Sequence, residues 1–175
     1  MARELGLVHL YYGDGKGKTT AAVGLAIRSA GAGNRVVFTQ FFKDGSSSEI
    51  SLLRQIPNIT VLHTKTVGGF WKCMTTEQQA QASRDYTELF QAACISAKNA
   101  ELLVLDEIVS ACNHGTVPED AVLDFLKSKP ENLEVVLTGR NPSEALLVQA
   151  DYVTEMKKVK HPFDRGVLAR KGIEY

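Results

Sequence analysis

Residues 13–20 read Gly-Asp-Gly-Lys-Gly-Lys-Thr-Thr and follow directly on the apolar run Leu7-Val8-His9-Leu10-Tyr11-Tyr12. A strand that enters a glycine-rich turn and leaves as a helix points several backbone N–H groups at one spot. The helix N-terminus adds its positive dipole end, so anions bind there. Lys18 can reach a phosphate, and the Thr19 hydroxyl can ligate Mg²⁺. Gly13, Asp14, Gly15, Lys16, Gly17, Lys18, Thr19 and Thr20 are therefore the candidate cradle for a nucleoside triphosphate. The cradle is short: Gly13 and Gly17 stand four positions apart, and Tyr12 falls where the first glycine of the usual pattern would be. The pattern G-x-x-x-x-G-K-[ST] places its glycines one step further apart. A shorter loop wraps phosphates differently, which counts against an ordinary kinase or ATPase.

A second signal is Asp106-Glu107 at the end of the apolar run Leu102-Leu103-Val104-Leu105. Carboxylates there would sit beside the loop and hold Mg²⁺ directly or through water. Thr19, Asp106 and Glu107 are the candidate metal set. Arg28, on the helix after the loop, and Arg140, after a later strand, are candidate nucleotide contacts; an ordinary solvated arginine is the alternative for each.

The elements that must position these groups alternate between strand and helix. Strands are expected over 5–12, 35–42, 59–63, 102–107, 134–138 and 152–156. Helices are expected over 17–32, 49–55, 76–97 (capped by Thr75 or Thr76), 118–127 and 143–149. Near-continuous apolar strands alternating with helices predict an α/β fold, a mostly parallel sheet of about six strands with helices on both faces. Ligands belong at the carboxyl ends of such strands. The basic tail, 157–175, shows no periodicity and reads as a solvated surface. At 175 residues the chain is expected to form a single domain, 1–175. Twenty basic side chains balance twenty acidic ones, so no overall field draws the chain to nucleic acid or to an anionic membrane. No apolar run is long enough for a membrane span. The first residues lead straight into a strand, and Cys73, Cys94 and Cys112 are an odd set without metal-ligand spacing. A cytoplasmic protein with free thiols is expected.

The chain resembles the P-loop type of ATP:corrinoid adenosyltransferase, the cob(I)alamin and cob(I)yrinic acid a,c-diamide adenosyltransferase family. The matching stretches are 13–20, Thr39-Gln40-Phe41-Phe42-Lys43, Gly69-Phe70-Trp71, 103–107 and Leu137-Thr138-Gly139-Arg140. The tail matches at 159–167 and at Gly172-Ile173-Glu174-Tyr175, and it is the most diagnostic part because generic NTPases lack it. The short phosphate loop is itself a family trait. The resemblance implies a P-loop NTPase-like (RecA-like) fold, and it implies alkylation instead of phosphoryl transfer. Co(I) of a reduced corrinoid attacks C5′ of ATP, the adenosyl group moves to cobalt, and triphosphate leaves. ATP would lie in the loop in the reverse sense to most P-loop proteins. Lys18, Lys16, the loop N–H groups and Mg²⁺ would neutralise the triphosphate, with Glu107 and Thr19 as direct metal ligands. Phe70 and Trp71 would supply apolar bulk under the corrin, displacing the lower axial ligand so that cobalt is reduced more easily. In relatives one residue separates that Phe from that Trp, whereas here they are adjacent. Longer relatives would also carry an N-terminal extension that helps close the site, and this chain is expected to lack it. A homodimer and a reducing partner such as a flavoprotein are further implications. A small-molecule P-loop kinase or NTPase, and a nucleotide-dependent binding module, are the alternatives.

Overall fold

The computed structural model describes residues 6–43, 45, 47–64, 71 and 74–175. The chain runs β1 (Val8–Tyr12), α1 (Lys18–Gly31), β2 (Val36–Gln40), α2 (Ser48–Leu53), β3 (Ile59–Leu62), α3 (Thr76–Ala97) and β4 (Leu102–Asp106). It continues through α4 (Ile108–Asn113), α5 (Glu119–Ser128), β5 (Glu134–Gly139), α6 (Glu144–Gln149), β6 (Tyr152–Glu155) and a 3-10 turn at Pro162–Arg165. The six strands form one sheet in the order β3-β2-β4-β5-β1-β6, every neighbouring pair parallel. Parallel neighbours need crossover connections, which the helices provide.

Period-two side-chain alternation splits the buried residues between two layers. Val36, Phe38, Leu102, Val104 and Val136 meet α1 and α2 on one face. Ala22, Ala26 and Ala30 of α1 repeat at helical spacing, and their small side chains let the helix lie close to the sheet. Val37, Leu103, Leu105, Val135 and Leu137 point to the other face. There they meet Ala82, Tyr86, Leu89, Phe90, Ala93 and Ala97 of α3, the buried stripe of a long helix. Thr75 starts that helix with a reciprocal capping box to Gln78, which satisfies two otherwise orphan donors. Every residue of β2 and β4 is buried, while the edge strand β6 is exposed throughout. No described helix is long and apolar enough to cross a membrane.

The register sets the functional edge. Tyr12 pairs with Gly139, Leu105 with Leu137 and Gln40 with Asp106, so the carboxyl ends of β1, β5, β4 and β2 lie level. β5 stands between β1 and β4, and any link from the phosphate loop to Asp106 must span it.

Two local features depart from the expected elements. Strand β2 ends at Gln40 instead of 42, because Phe42 takes a left-handed conformation, φ 55°, and turns the chain. Helix α4 is absent from the sequence reading. Its Ile108, Val109 and Ala111 are all buried, so the apolar run of β4 continues unbroken into a six-residue helix and the change of period has no room to show.

Candidate active site

The phosphate loop is built against the chain just after β6. The Gly15 N–H donates to the Met156 carbonyl at 2.6 Å. A Cβ on Gly13 or Gly15 would come within 2.5 Å of that same oxygen. Gly13 and Gly17 also hold φ of +111° and +118°, which L side chains avoid. Gly17 then caps α1 without a side-chain hydrogen bond, leaving the first-turn N–H groups to face a ligand. The Asp14 carboxylate accepts from the Lys158 N–H at 2.9 Å. That bond, ahead of the nearby Lys158 and Arg140 charges, holds its pKa below the ordinary value. Lys18, only 7% exposed, curls back and donates to the carbonyls of Gly13 and Gly15, both at 2.8 Å. Burial pushes its pKa down and Arg140 adds to this, while Glu107, Asp106 and Asp14 pull the other way.

The two candidate carboxylates have opposite surroundings. Asp106 is fully buried and its oxygens are taken. They accept from Thr19 Oγ1 at 2.9 and 3.2 Å, Thr138 Oγ1 at 2.7 Å and Gln40 Nε2 at 3.2 Å, with Lys43 Nζ at 3.5 Å. Thr19 reaches Asp106 directly across the intervening strand β5, and Thr138, on that strand, joins it on the same carboxylate. The Thr138 hydroxyl donates to Asp106 and accepts from the Glu107 N–H at 2.8 Å. Glu107 adopts a left-handed φ of 64°, which swings its carboxylate into the cavity over the loop, where Ser110 Oγ donates to it at 2.6 Å.

That cavity, about 590 Å³, is lined by the loop from Asp14 to Thr20, by Glu107 and Arg140, and by Lys43 and Glu49. Its far wall is the tail, Gly172–Tyr175 with His161. The basic tail is thus more than a solvated surface. Lys16 Nζ donates to the Ile173 carbonyl at 2.8 Å and Ser48 Oγ to the Tyr175 carbonyl at 3.1 Å. Ion pairs Lys158–Asp164 and Arg170–Glu174 brace it. His161 plays a structural part, since its Nδ1 accepts from the Phe163 N–H at 3.2 Å and caps the 3-10 turn. Arg140 lines the cavity, and its carbonyl accepts from Asn113 Nδ2 at 2.8 Å. Arg28 is exposed in the last turn of α1 and is not among the cavity residues.

A second feature lies at the other end of α4. Trp71 packs on Phe42 and His114, ring centroids 5.9 and 5.6 Å apart. Phe42 also meets His114 at 5.2 Å and the buried Tyr86 at 4.9 Å. Phe70 and Cys73 lie outside the described residues. Cys94 and Cys112 are free, and burial pushes both thiols up to about 12.

Sequence reasoning gave no role to Gln40, Lys43, Glu49, Thr138, Ser110 or His114. A usable signal exists for two of them: Gln40 and Thr138 are polar residues near the carboxyl ends of largely apolar strands. A buried polar group there needs a partner, and Asp106 is that partner. Glu49 accepts from Gln40 Nε2 at 3.0 Å, a contact that a short helix after a polar loop does not advertise.

A parallel sheet with a glycine-rich loop between β1 and α1, and an acidic group at the end of β4 tied to that loop, defines a RecA-like phosphate-loop protein. In overall fold the chain is similar to a KaiC-like protein of Pyrococcus horikoshii, with TM-score 0.52 and 17% identity over 89% of this chain and 75% of that one. The chain belongs to the family described as ATP:corrinoid adenosyltransferase BtuR/CobO/CobP, whose model matches residues 4–175. It is 33% identical over 173 residues to a corrinoid adenosyltransferase of Pseudomonas aeruginosa, covering 98% of this chain and 85% of that protein. It is 34% identical over 175 residues to one of Escherichia coli, covering 98% and 87%. To the corrinoid adenosyltransferase CobA of Salmonella typhimurium it is 32% identical over 173 residues, with 98% and 87% covered.

Proposed function

We propose that this protein transfers the 5′-deoxyadenosyl group of ATP to Co(I) of a corrinoid and releases triphosphate. Besides family membership, one observation carries the reading: helix α4 joins an anion site to an aromatic cluster. Glu107, its N-cap, faces the phosphate cavity, and His114, its C-cap, packs against Trp71. The seven residue steps from Glu107 to His114 span about 10 Å of helix. A reaction between a triphosphate ester and a broad macrocycle needs that separation between its two binding features.

In this reading the Co(I) electron pair forms the Co–C5′ bond, and the C5′–O bond breaks with its electrons going to triphosphate. Neither partner loses a proton, so a general base is not required. The protein's work is orientation and charge neutralisation. Lys18 leaves the Gly13 and Gly15 carbonyls for the phosphates, Lys16 lies beside it, and the α1 N-terminus presents its N–H groups. The residues also fit Mg²⁺. Asp106 is buried and saturated, which orients Thr19, while the Glu107 carboxylate and the Thr19 hydroxyl remain open to the cavity as oxygen ligands of the kind a hard cation takes. Bound there, the ion would supply further positive charge to the leaving triphosphate. Trp71, with Phe70 beside it in sequence, offers apolar bulk and no axial ligand. A reducing flavoprotein, a homodimer, a single 1–175 domain and a cytoplasmic setting complete the proposal.

Analysis of the product left from ATP in the presence of chemically reduced corrinoid tests it. Triphosphate is expected. ADP would point to a small-molecule kinase or NTPase, and unchanged ATP to a binding module; either would overturn the reading.

A further inference from the structure

We propose that His114 reads the side-chain amides of the corrinoid, so that the protein favours a fully amidated corrin over one bearing free carboxylates. The proposal rests on the reading that the corrin docks against Trp71. His114 Nδ1 lies 2.8 Å from the Ser110 carbonyl oxygen. A carbonyl only accepts, so Nδ1 carries the proton, and in the neutral ring Nε2 is left as a bare acceptor. Among the described residues nothing hydrogen-bonds to Nε2, and the residue is exposed. The ring is held from two further sides, by Phe42 at 5.2 Å and Trp71 at 5.6 Å. Its direction is therefore fixed by a hydrogen bond and by packing together.

Ser110 links this ring to the phosphate side. Its carbonyl fixes His114, and its hydroxyl fixes the Glu107 carboxylate at 2.6 Å. One turn of α4 thus sets the acceptor at a constant offset from the group that faces the triphosphate. A corrin is an apolar macrocycle fringed with acetamide and propionamide arms. With the ring against Trp71, a fringe amide N–H meets an acceptor at Nε2. A carboxylate at the same place brings only lone pairs and pairs with Nε2 only where the ring first takes up a second proton, so the discrimination is sharpest at alkaline pH. A site built to hydrogen-bond a donor rejects the analogue without it more strongly than an apolar pocket would.

The test uses chemically pre-reduced Co(I) forms of two corrinoids. Cobinamide carries amides around the ring, and cobyrinic acid a,c-diamide carries free carboxylates at most positions. The parent should show a KM for cobinamide lower by about tenfold, the scale of one net hydrogen bond. In His114→Phe, which keeps an aromatic ring, the cobinamide KM should rise by about tenfold, while the diamide KM moves by less than about twofold. His114→Gln, whose amide oxygen also accepts, should keep most of the preference, and it decides the matter if the Phe variant does not fold. An equal rise for both corrinoids, no rise for either, or loss of the preference in the Gln variant would overturn the proposal. The single tryptophan of the chain, Trp71, separates the docking reading from the His114 assignment. Quenching of its fluorescence by added corrinoid is expected. Quenching with no preference would sink the His114 assignment alone. Absence of quenching would sink the docking reading and this proposal with it.

Discussion

The two ends of α4 solve their polar problems in opposite ways. At the Glu107 end both Asp106 oxygens, the Thr19 and Thr138 hydroxyls and the Glu107 N–H are answered by protein, across strands β2, β4 and β5. At the His114 end ring contacts and one hydrogen bond to the Ser110 carbonyl hold the imidazole, and among the described residues its other nitrogen is left open. A triphosphate has fixed charge and geometry, so a rigid cradle prepared in advance serves it. A corrin is broad and apolar, and its arms vary. Adaptable aromatic surface with a single polar reading point suits it better.

The largest break in this comparison should come at the cradle. Lys18→Ala should lower the rate of triphosphate release by about 10²–10³, or ~2.7–4 kcal/mol, because the amine meets charge that grows in the transition state. A folded variant within about twofold of the parent would remove Lys18 from the mechanism. The same lysine should contribute little to stability. Its pKa is lowered by burial and by Arg140, so folding disfavours its proton. That penalty is present below the lowered pKa and is relieved as pH rises from there through the ordinary value of 10.5. Lys18→Met should therefore melt at or above the parent near neutral pH, yet lose the thermal stabilisation that ATP gives the parent.

Next in size is the aromatic end. Trp71→Ala should slow conversion starting from Co(II)cobalamin by more than about tenfold, equivalent to ~1.4 kcal/mol in the barrier. Pre-reduced Co(I) should be affected much less, since no lower base then has to leave. Equal losses in both assays would reduce Trp71 to packing. The two carboxylates sharpen the contrast within the cradle. Glu107→Gln should raise the Mg²⁺ concentration needed for half-maximal rate more than Asp106→Asn does. Asp106→Asn should show itself mainly in the melt, because a donor left without its acceptor in a buried network costs about 1–3 kcal/mol. At this chain length that is roughly 2–4 °C for each kcal/mol. The reverse order in the metal titration would exchange the two roles. The smallest effect belongs to Asp14. Its lowered pKa, due first to the Lys158 N–H, contributes stability that is present above the ordinary carboxyl pKa and lost as pH falls through the lowered value. Asp14→Asn should flatten that acid limb slightly and lower the neutral-pH melt slightly, the two proteins converging in acid; a steeper limb would contradict the assignment.

Much of this was legible in the residues. The near-continuous apolar strands and the loop motif carry strong local signals, so the parallel sheet and the glycine-rich turn between β1 and α1 follow from pattern alone. What escaped was long-range. That Thr19 and Thr138 would converge on Asp106 depends on the strand order, which periodicity does not encode. The tail lacks any period, and its place on the cavity wall rests on single bonds from Lys16 and Ser48 to distant carbonyls. Helix α4, the spacer between the two ends, was hidden because buried apolar residues run through strand and helix alike.

In the proposed reaction, the Lys18 amine between the Gly13 and Gly15 carbonyls would make nucleotide capture an exchange instead of an addition. The two hydrogen bonds tie the loop to its own lysine. An incoming phosphate must evict the amine and match the two hydrogen bonds it gives up, which weakens short or singly charged anions relative to a chain of phosphates. The same competition works in reverse after the reaction. The amine is within reach of its old acceptors while triphosphate is still in the loop, and its return would help a highly charged product to leave.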